Sequence, residues 1–177
     1  MRTPRKLDAQ ELDLCRMQGE LFERSPELCA CSSPVFVRRF MFSELAKRFD
    51  DGSVLMESST FRSMVAELDD QYGPSDYGSD HFDSEILYWM GYLYRYWSIA
   101  FGISSKRVFR IVQARELSEL YYPYHSLDPI QAIERICEGT GARPGDSEPS
   151  EGYIEEGVAL LRRMHQRPSY QYYAAKT

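Results

Sequence analysis

A chain of 177 residues with 43% hydrophobic and 27% charged content reads as one ordinary globular domain, long enough to bury a real core. Its net charge of −6 argues against broad affinity for nucleic acid, because phosphate recognition needs positive charge. The aromatic share of 14%, dominated by thirteen tyrosines, is the unusual figure, and it suits either a helical core with wet edges or a recognition surface.

Residues 1–6 are basic, contain Pro4 and are expected to fray; they lead into an amphipathic run rather than an apolar signal segment. The spacing of Leu7, Leu14, Met17 and Leu21 predicts a first helix over 7–23, broken by Ser25-Pro26. Ser32-Ser33-Pro34 is a helix start, and 35–49 reads as a second helix burying Phe36, Phe40, Met41, Leu45 and Phe49. Asp50-Asp51-Gly52-Ser53 is a turn, its two carboxylates read as turn formers. Ser58 or Ser59 is expected to cap a third helix over 60–72, and residues 73–80 form a loop without a phosphate-cradle motif.

The stretch that organises the chain is 84–101. It carries both tryptophans, Trp89 and Trp97. Ile86, Trp89, Met90, Leu93, Trp97 and Ala100 share one helical face, and Tyr88, Tyr92 and Tyr96 occupy the other, with Gly91 among them. A helix apolar or aromatic all round belongs inside a protein, so the expected fold is an all-α bundle wrapped around it. Arg95 and the tyrosines argue against a membrane span. Gly102 ends the helix, and Ser104-Ser105 starts a short one over 106–112. A further helical stretch is expected over 116–122, ended by Pro123, and then a helix capped by Asp128 with Pro129 in its first turn. The organisation that follows is a helical domain over 1–138, a flexible acidic linker over 139–152, and a last helix over 153–166 with a tyrosine-rich tail to 177.

Chemistry-bearing constellations are sparse. Cys15, Cys29, Cys31 and Cys137 have neither CxxC nor the usual zinc spacing and read as reduced, partly buried thiols of a cytoplasmic protein. His81, His125 and His165 lack a second strong ligand at helical spacing, so no metal and no cofactor is expected. His125 has Asp128 three residues on, which is conceivable as an acid–base pair and more simply read as the stabilisation of a turn. Lys106, Arg107, Arg110 and Arg115 form an uninterrupted basic set after a helix–Gly–helix outline, the best nucleic-acid feature in the chain.

Two passages look familiar. One is Phe36-Val37-Arg38-Arg39-Phe40-Met41-Phe42-Ser43. The other runs Tyr88-Trp89-Met90-Gly91-Tyr92-Leu93-Tyr94-Arg95-Tyr96-Trp97, followed by Ser104-Ser105-Lys106, Leu120-Tyr121, Tyr124-His125-Ser126-Leu127-Asp128-Pro129 and Ala132-Ile133-Glu134-Arg135. Together they resemble small bacterial proteins associated with toxin–antitoxin loci beside ADP-ribosyltransferase-like toxins. The similarity covers about 32–138. It implies an antitoxin or accessory protein that binds a toxin, and it brings no assigned catalytic residues.

Three readings follow. The first is an antitoxin-like interaction module, with Arg95, Lys106, Arg107, Arg110, Tyr124, His125 and Asp128 as contact candidates. The second is a helix-turn-helix-type DNA-binding regulator using residues 106–115. The third is an enzyme centred on His125.

Overall fold

The computed structural model describes residues 3–145. The acidic linker beyond 145, the helix expected over 153–166 and the tail lie outside the described residues. Among those described, regular structure is entirely helical. The helices are α1 (Ala9–Leu28), α2 (Ser33–Met41), α3 (Glu44–Asp50), α4 (Phe61–Tyr72), α5 (Ser84–Phe101), α6 (Ser105–Ile111), α7 (Ala114–Glu119), α8 (Tyr121–Tyr124) and α9 (Pro129–Thr140). A 3-10 turn at Ser53–Met56 lies between α3 and α4. No helix among them is long and apolar enough to cross a membrane.

α5 is the axis, as its composition demands. Leu87, Met90, Leu93, Tyr94, Arg95, Trp97 and Ser98 are all buried, and α1, α6, α7 and α9 pack around it. The Trp97 indole N–H donates to Pro144 O at 2.9 Å, which ties the chain beyond α9 back to the axis. Beside α5, Phe22, Phe36, Phe40 and Phe49 interlock edge to face with ring centroids 5.1–5.5 Å apart.

Local chemistry moves several boundaries. α1 starts later than the apolar stripe suggests, because Asp8 and Glu11 form a capping box and Glu11 also pairs with Arg5. It also runs through Pro26. The Phe22 carbonyl, which the proline leaves without its helical donor, accepts instead from Ser25 Oγ at 2.7 Å. The helix expected over 35–49 is two helices. Ser43 Oγ donates to Phe40 O at 2.6 Å and accepts from Ala46 N at 3.0 Å, ending one helix and capping the next. Thr60, with Ser63, caps α4 in place of Ser58 or Ser59. The stretch expected as one helix over 116–122 splits at Leu120, and Pro123 sits inside α8. α9 runs to Thr140, past Gly139, where the linker was expected to begin.

Arg95 is the main correction among the contact candidates. It is fully buried, and its guanidinium holds the bundle together from inside. Nε donates to Gln18 Oε1 at 2.8 Å, Nη1 to Asp50 Oδ1 at 2.6 Å and Ser98 Oγ at 3.3 Å, and Nη2 to Ser105 Oγ at 2.7 Å. Asp50, expected only to shape a turn, is the counter-ion. It also accepts the Ser105 N–H at 3.1 Å and the Ser105 hydroxyl at 2.6 Å. One buried charge thus joins α1, α3, α5 and the start of α6. Four of its five N–H donors are bonded inside the bundle, and with no exposed surface the side chain presents nothing to a second protein.

Burial of Tyr94 and Cys15 makes stability sensitive to alkali. Tyr94 is wholly enclosed and donates to Val112 O at 2.9 Å; burial, with a smaller push from Glu116, holds its pKa well above 10. Burial also pushes the Cys15 thiol up to about 12. Both shifts are upward, so their stabilising contribution is whole below the unfolded values and is lost as pH rises toward the folded ones. Urea midpoints are therefore expected to fall from about pH 9 as Cys15 passes its unfolded value, and more steeply from about pH 10 as Tyr94 joins it, each group costing up to about 1.4 kcal/mol per pH unit. Tyr94→Phe should flatten that limb by one proton while lowering stability at neutral pH by about 1 kcal/mol, because the Val112 carbonyl loses its donor. An unchanged alkaline slope in the variant would contradict the burial of Tyr94.

Candidate functional site

Among the described residues, a concavity lies where α5, α8 and the start of α9 meet the side of α1. It is an open groove of about 450 Å³ lined by Glu23 of α1, Glu85, Tyr88, Trp89, Tyr92 and Leu93 of α5, then Tyr121, His125, Leu127 and Pro129. Its aromatic wall follows from spacing on α5. Tyr88 and Tyr92 are one turn apart and stack at 6.3 Å, and Tyr92 stacks in the same way on Tyr96. Opposite them, α8 sets Tyr121 edge-on to Trp89 at 5.6 Å and face to face with His125 at 4.5 Å. The adjoining Tyr122 is 72% exposed and extends the aromatic surface outward.

The polar groups on this wall are oriented. His125 Nδ1 lies 2.9 Å from Tyr121 O and 3.2 Å from Tyr122 O. Carbonyls only accept, so Nδ1 is the donor in these contacts and Nε2 is the ring nitrogen left to the groove side. Tyr121 Oη donates to Glu85 Oε2 at 3.4 Å. Burial, together with the nearby carboxylates of Glu20 and Glu23, raises the Tyr88 pKa and keeps its hydroxyl protonated. Aromatic faces bordered by Glu23 and Glu85 favour a cationic or polarisable apolar guest.

The structure brings only some of the expected residues here. His125 lines the groove. Tyr124 is half-buried against the core, and Asp128 caps α9 by accepting the Ile130 N–H at 2.9 Å. The hydrogen bonds found for His125 and Asp128 thus run to the backbone and not to each other. Lys106 and Arg110 lie on another surface, over the ring of Phe42 at 5.4 and 6.0 Å, and Phe42 in turn meets Phe109 edge-on at 5.6 Å. Among the described residues Lys106, Arg107 and Arg110 have no carboxylate partner, whereas Arg115 pairs with Asp80.

Apart from His125, the groove residues escaped the sequence reading because they come from three separated segments. The signals that could have found them were the tyrosines at i, i+4 on α5 and the second aromatic cluster at 121–124. Compared with family models, with curated proteins and with solved structures, the chain matches none. The fold defines the class: an all-α bundle whose aromatic axis surfaces along a groove.

Proposed function

We propose that this is an antitoxin-like interaction module, acting in the cytoplasm, which neutralises or regulates a partner toxin by binding it. The observation that carries the reading is the open groove of Tyr88, Trp89, Tyr92, Tyr121 and His125 with Glu23 and Glu85 at its edge. Tyrosine and tryptophan concentrate binding energy at interfaces. The carboxylates select a partner segment that presents arginine or lysine beside an apolar anchor, and the net charge of −6 steers such a segment inward. The resemblance over 32–138 points to the same kind of partner.

The test is co-expression with the product of the adjacent gene. The wild-type chain should co-purify with it and relieve any growth inhibition it causes. Glu23→Lys combined with Glu85→Lys, both at exposed positions, should leave the helical signal unchanged and weaken binding by at least about tenfold. Absence of co-purification and unrelieved inhibition would sink the proposal.

A DNA-binding reading has one observation in its favour: Lys106 and Arg110 lie over Phe42, and neither they nor Arg107 has a carboxylate partner among the described residues. It requires a salt-dependent shift of promoter DNA that disappears in Arg107→Ala plus Arg110→Ala. No shift at low salt removes it.

A further inference from the structure

The bend between α1 and α2 holds a pair of sulfurs that the interaction reading does not use. Cys29 ends α1, Ala30 is exposed at the bend, and Cys31 precedes the Ser32 cap of α2. The bend sets Cys29 Sγ and Cys31 Sγ 3.7 Å apart. A bonded pair lies about 2.0 Å apart, so closure needs a movement of the order of 1.7 Å by two side chains on a short loop. Cys29 is half-buried and its thiol lies 3.0 Å from Ser25 O; Cys31 is 2% exposed.

The two sulfurs have unlike surroundings. Arg39 lies beside Cys31. Its guanidinium is itself fixed, by the carbonyls of Leu68 and Gly73, by Asp69 at 3.5 Å and by the Tyr72 ring at 5.5 Å. The thiol of Cys29 and the guanidinium of Arg39 lower the Cys31 pKa, while the same sulfur–sulfur contact and burial raise that of Cys29, with Asp69 adding to the rise. The cation beside Cys31 favours its thiolate, which makes it the better nucleophile of two sulfurs 3.7 Å apart.

We propose that Cys29 and Cys31 are a redox-active dithiol, closed by hydrogen peroxide to an intramolecular disulfide, with Cys31 attacking and Cys29 resolving. In the first step the Cys31 thiolate attacks one peroxide oxygen. The O–O bond breaks, hydroxide leaves and takes up the thiol proton as water, and Cys31 becomes a sulfenic acid. In the second step Cys29 sulfur attacks the sulfenic sulfur. The S–O bond breaks, and the departing hydroxide leaves as water with the Cys29 proton. Overall the two thiols give up two electrons and two protons, and the peroxide becomes two waters. The 2% exposure of Cys31 restricts the first step to a small oxidant and shuts out glutathione disulfide.

The test treats the reduced full-length chain with equimolar hydrogen peroxide, blocks remaining thiols in denaturant and digests with trypsin. The peptide spanning residues 25–38 contains Cys29 and Cys31 and no other cysteine. It is expected to lose the mass of two hydrogens and to resist alkylation until reduced, while the peptides carrying Cys15 and Cys137 alkylate fully. Cys29→Ser should stop the reaction at a sulfenic acid on Cys31 that dimedone traps. Cys31→Ser should slow oxidation of Cys29 by at least about tenfold, and Arg39→Lys, which keeps the charge, should slow closure by less. Far-ultraviolet circular dichroism of each variant excludes misfolding as the cause. A peptide 25–38 that remains a dithiol, that gains glutathione from glutathione disulfide, or that oxidises equally fast in Cys31→Ser overturns the proposal.

Discussion

Asp50→Ala is expected to lower stability by about 3–5 kcal/mol, enough to unfold much of the population at physiological temperature. The substitution removes the counter-ion of Arg95 and leaves a guanidinium with no exposed surface inside four helices. Burial alone already weakens the hold of Arg95 on its proton, and Asp50 is the first of the groups that restore it. Arg95→Met should cost less. It removes the charge that is expensive to bury, and Asp50, whose side chain is 21% exposed, keeps water and the donors of Ser98 and Ser105. Gln18 Oε1 loses the Arg95 donor, but a neutral buried acceptor left unpaired costs less than an unpaired buried charge. The ordering is the sharp part of the expectation. Urea unfolding that finds Arg95→Met more damaging than Asp50→Ala would show that the network is held by arginine packing and not by charge balance. Asp50→Leu together with Arg95→Met should recover part of the loss of Asp50→Ala, since well-packed apolar pairs often match or exceed a buried ion pair.

The same network shows which part of the molecule was legible in the chain. The axis was, because an uninterrupted run of aromatic and apolar residues has few places to be other than the centre. Its end at Gly102 was also plain, and Gly102 sits at φ 62° there. Arg95 was misread because an isolated arginine among tyrosines looks like surface chemistry. Its burial depends on Asp50 and Gln18, which are distant in sequence and adjacent only once α1, α3 and α5 have met. The breaks at Ser43 and Leu120 were hidden for a related reason: the hydrophobic period runs on across each, and a single cap or backbone contact decides where one helix stops. The groove took His125 from a segment singled out in advance. Its walls, Trp89 and Tyr121, lay in stretches read as packing elements, and nothing in their spacing says that two helices leave a gap between them. The Cys29–Cys31 pair lacks the usual redox spacing, and only the bend brings its sulfurs together.

Gly91→Ala should destabilise the protein although intrinsic helix propensity predicts the opposite. In an exposed helix the change would gain up to about 1 kcal/mol. Here α1 crosses α5 so closely that an alanine Cβ at position 91 would stand 2.6 Å from Gln18 O and 2.9 Å from Phe22 Cγ. The nearer atom is backbone, so no rotamer change relieves the clash and α1 has to move as a unit. Overpacking of this kind costs about 1–3 kcal/mol, and an approach of 2.6 Å to backbone puts it at the upper end, a net loss of about 2 kcal/mol that lowers the melting temperature by about 4–8 °C. Displacing α1 also draws Gln18 away from Arg95 Nε, so Gly91→Ala and Asp50→Ala should be non-additive when combined. Gly19→Ala is the control on the facing helix. Its Cβ would meet the Tyr88 ring and the Tyr88 carbonyl at 3.0 Å, a less severe approach than the 2.6 Å at Gly91, so its effect should be smaller. A Gly91→Ala variant that melts higher than wild type would mean that α1 and α5 are not in contact at this crossing, and the buried charge could not be placed where it is.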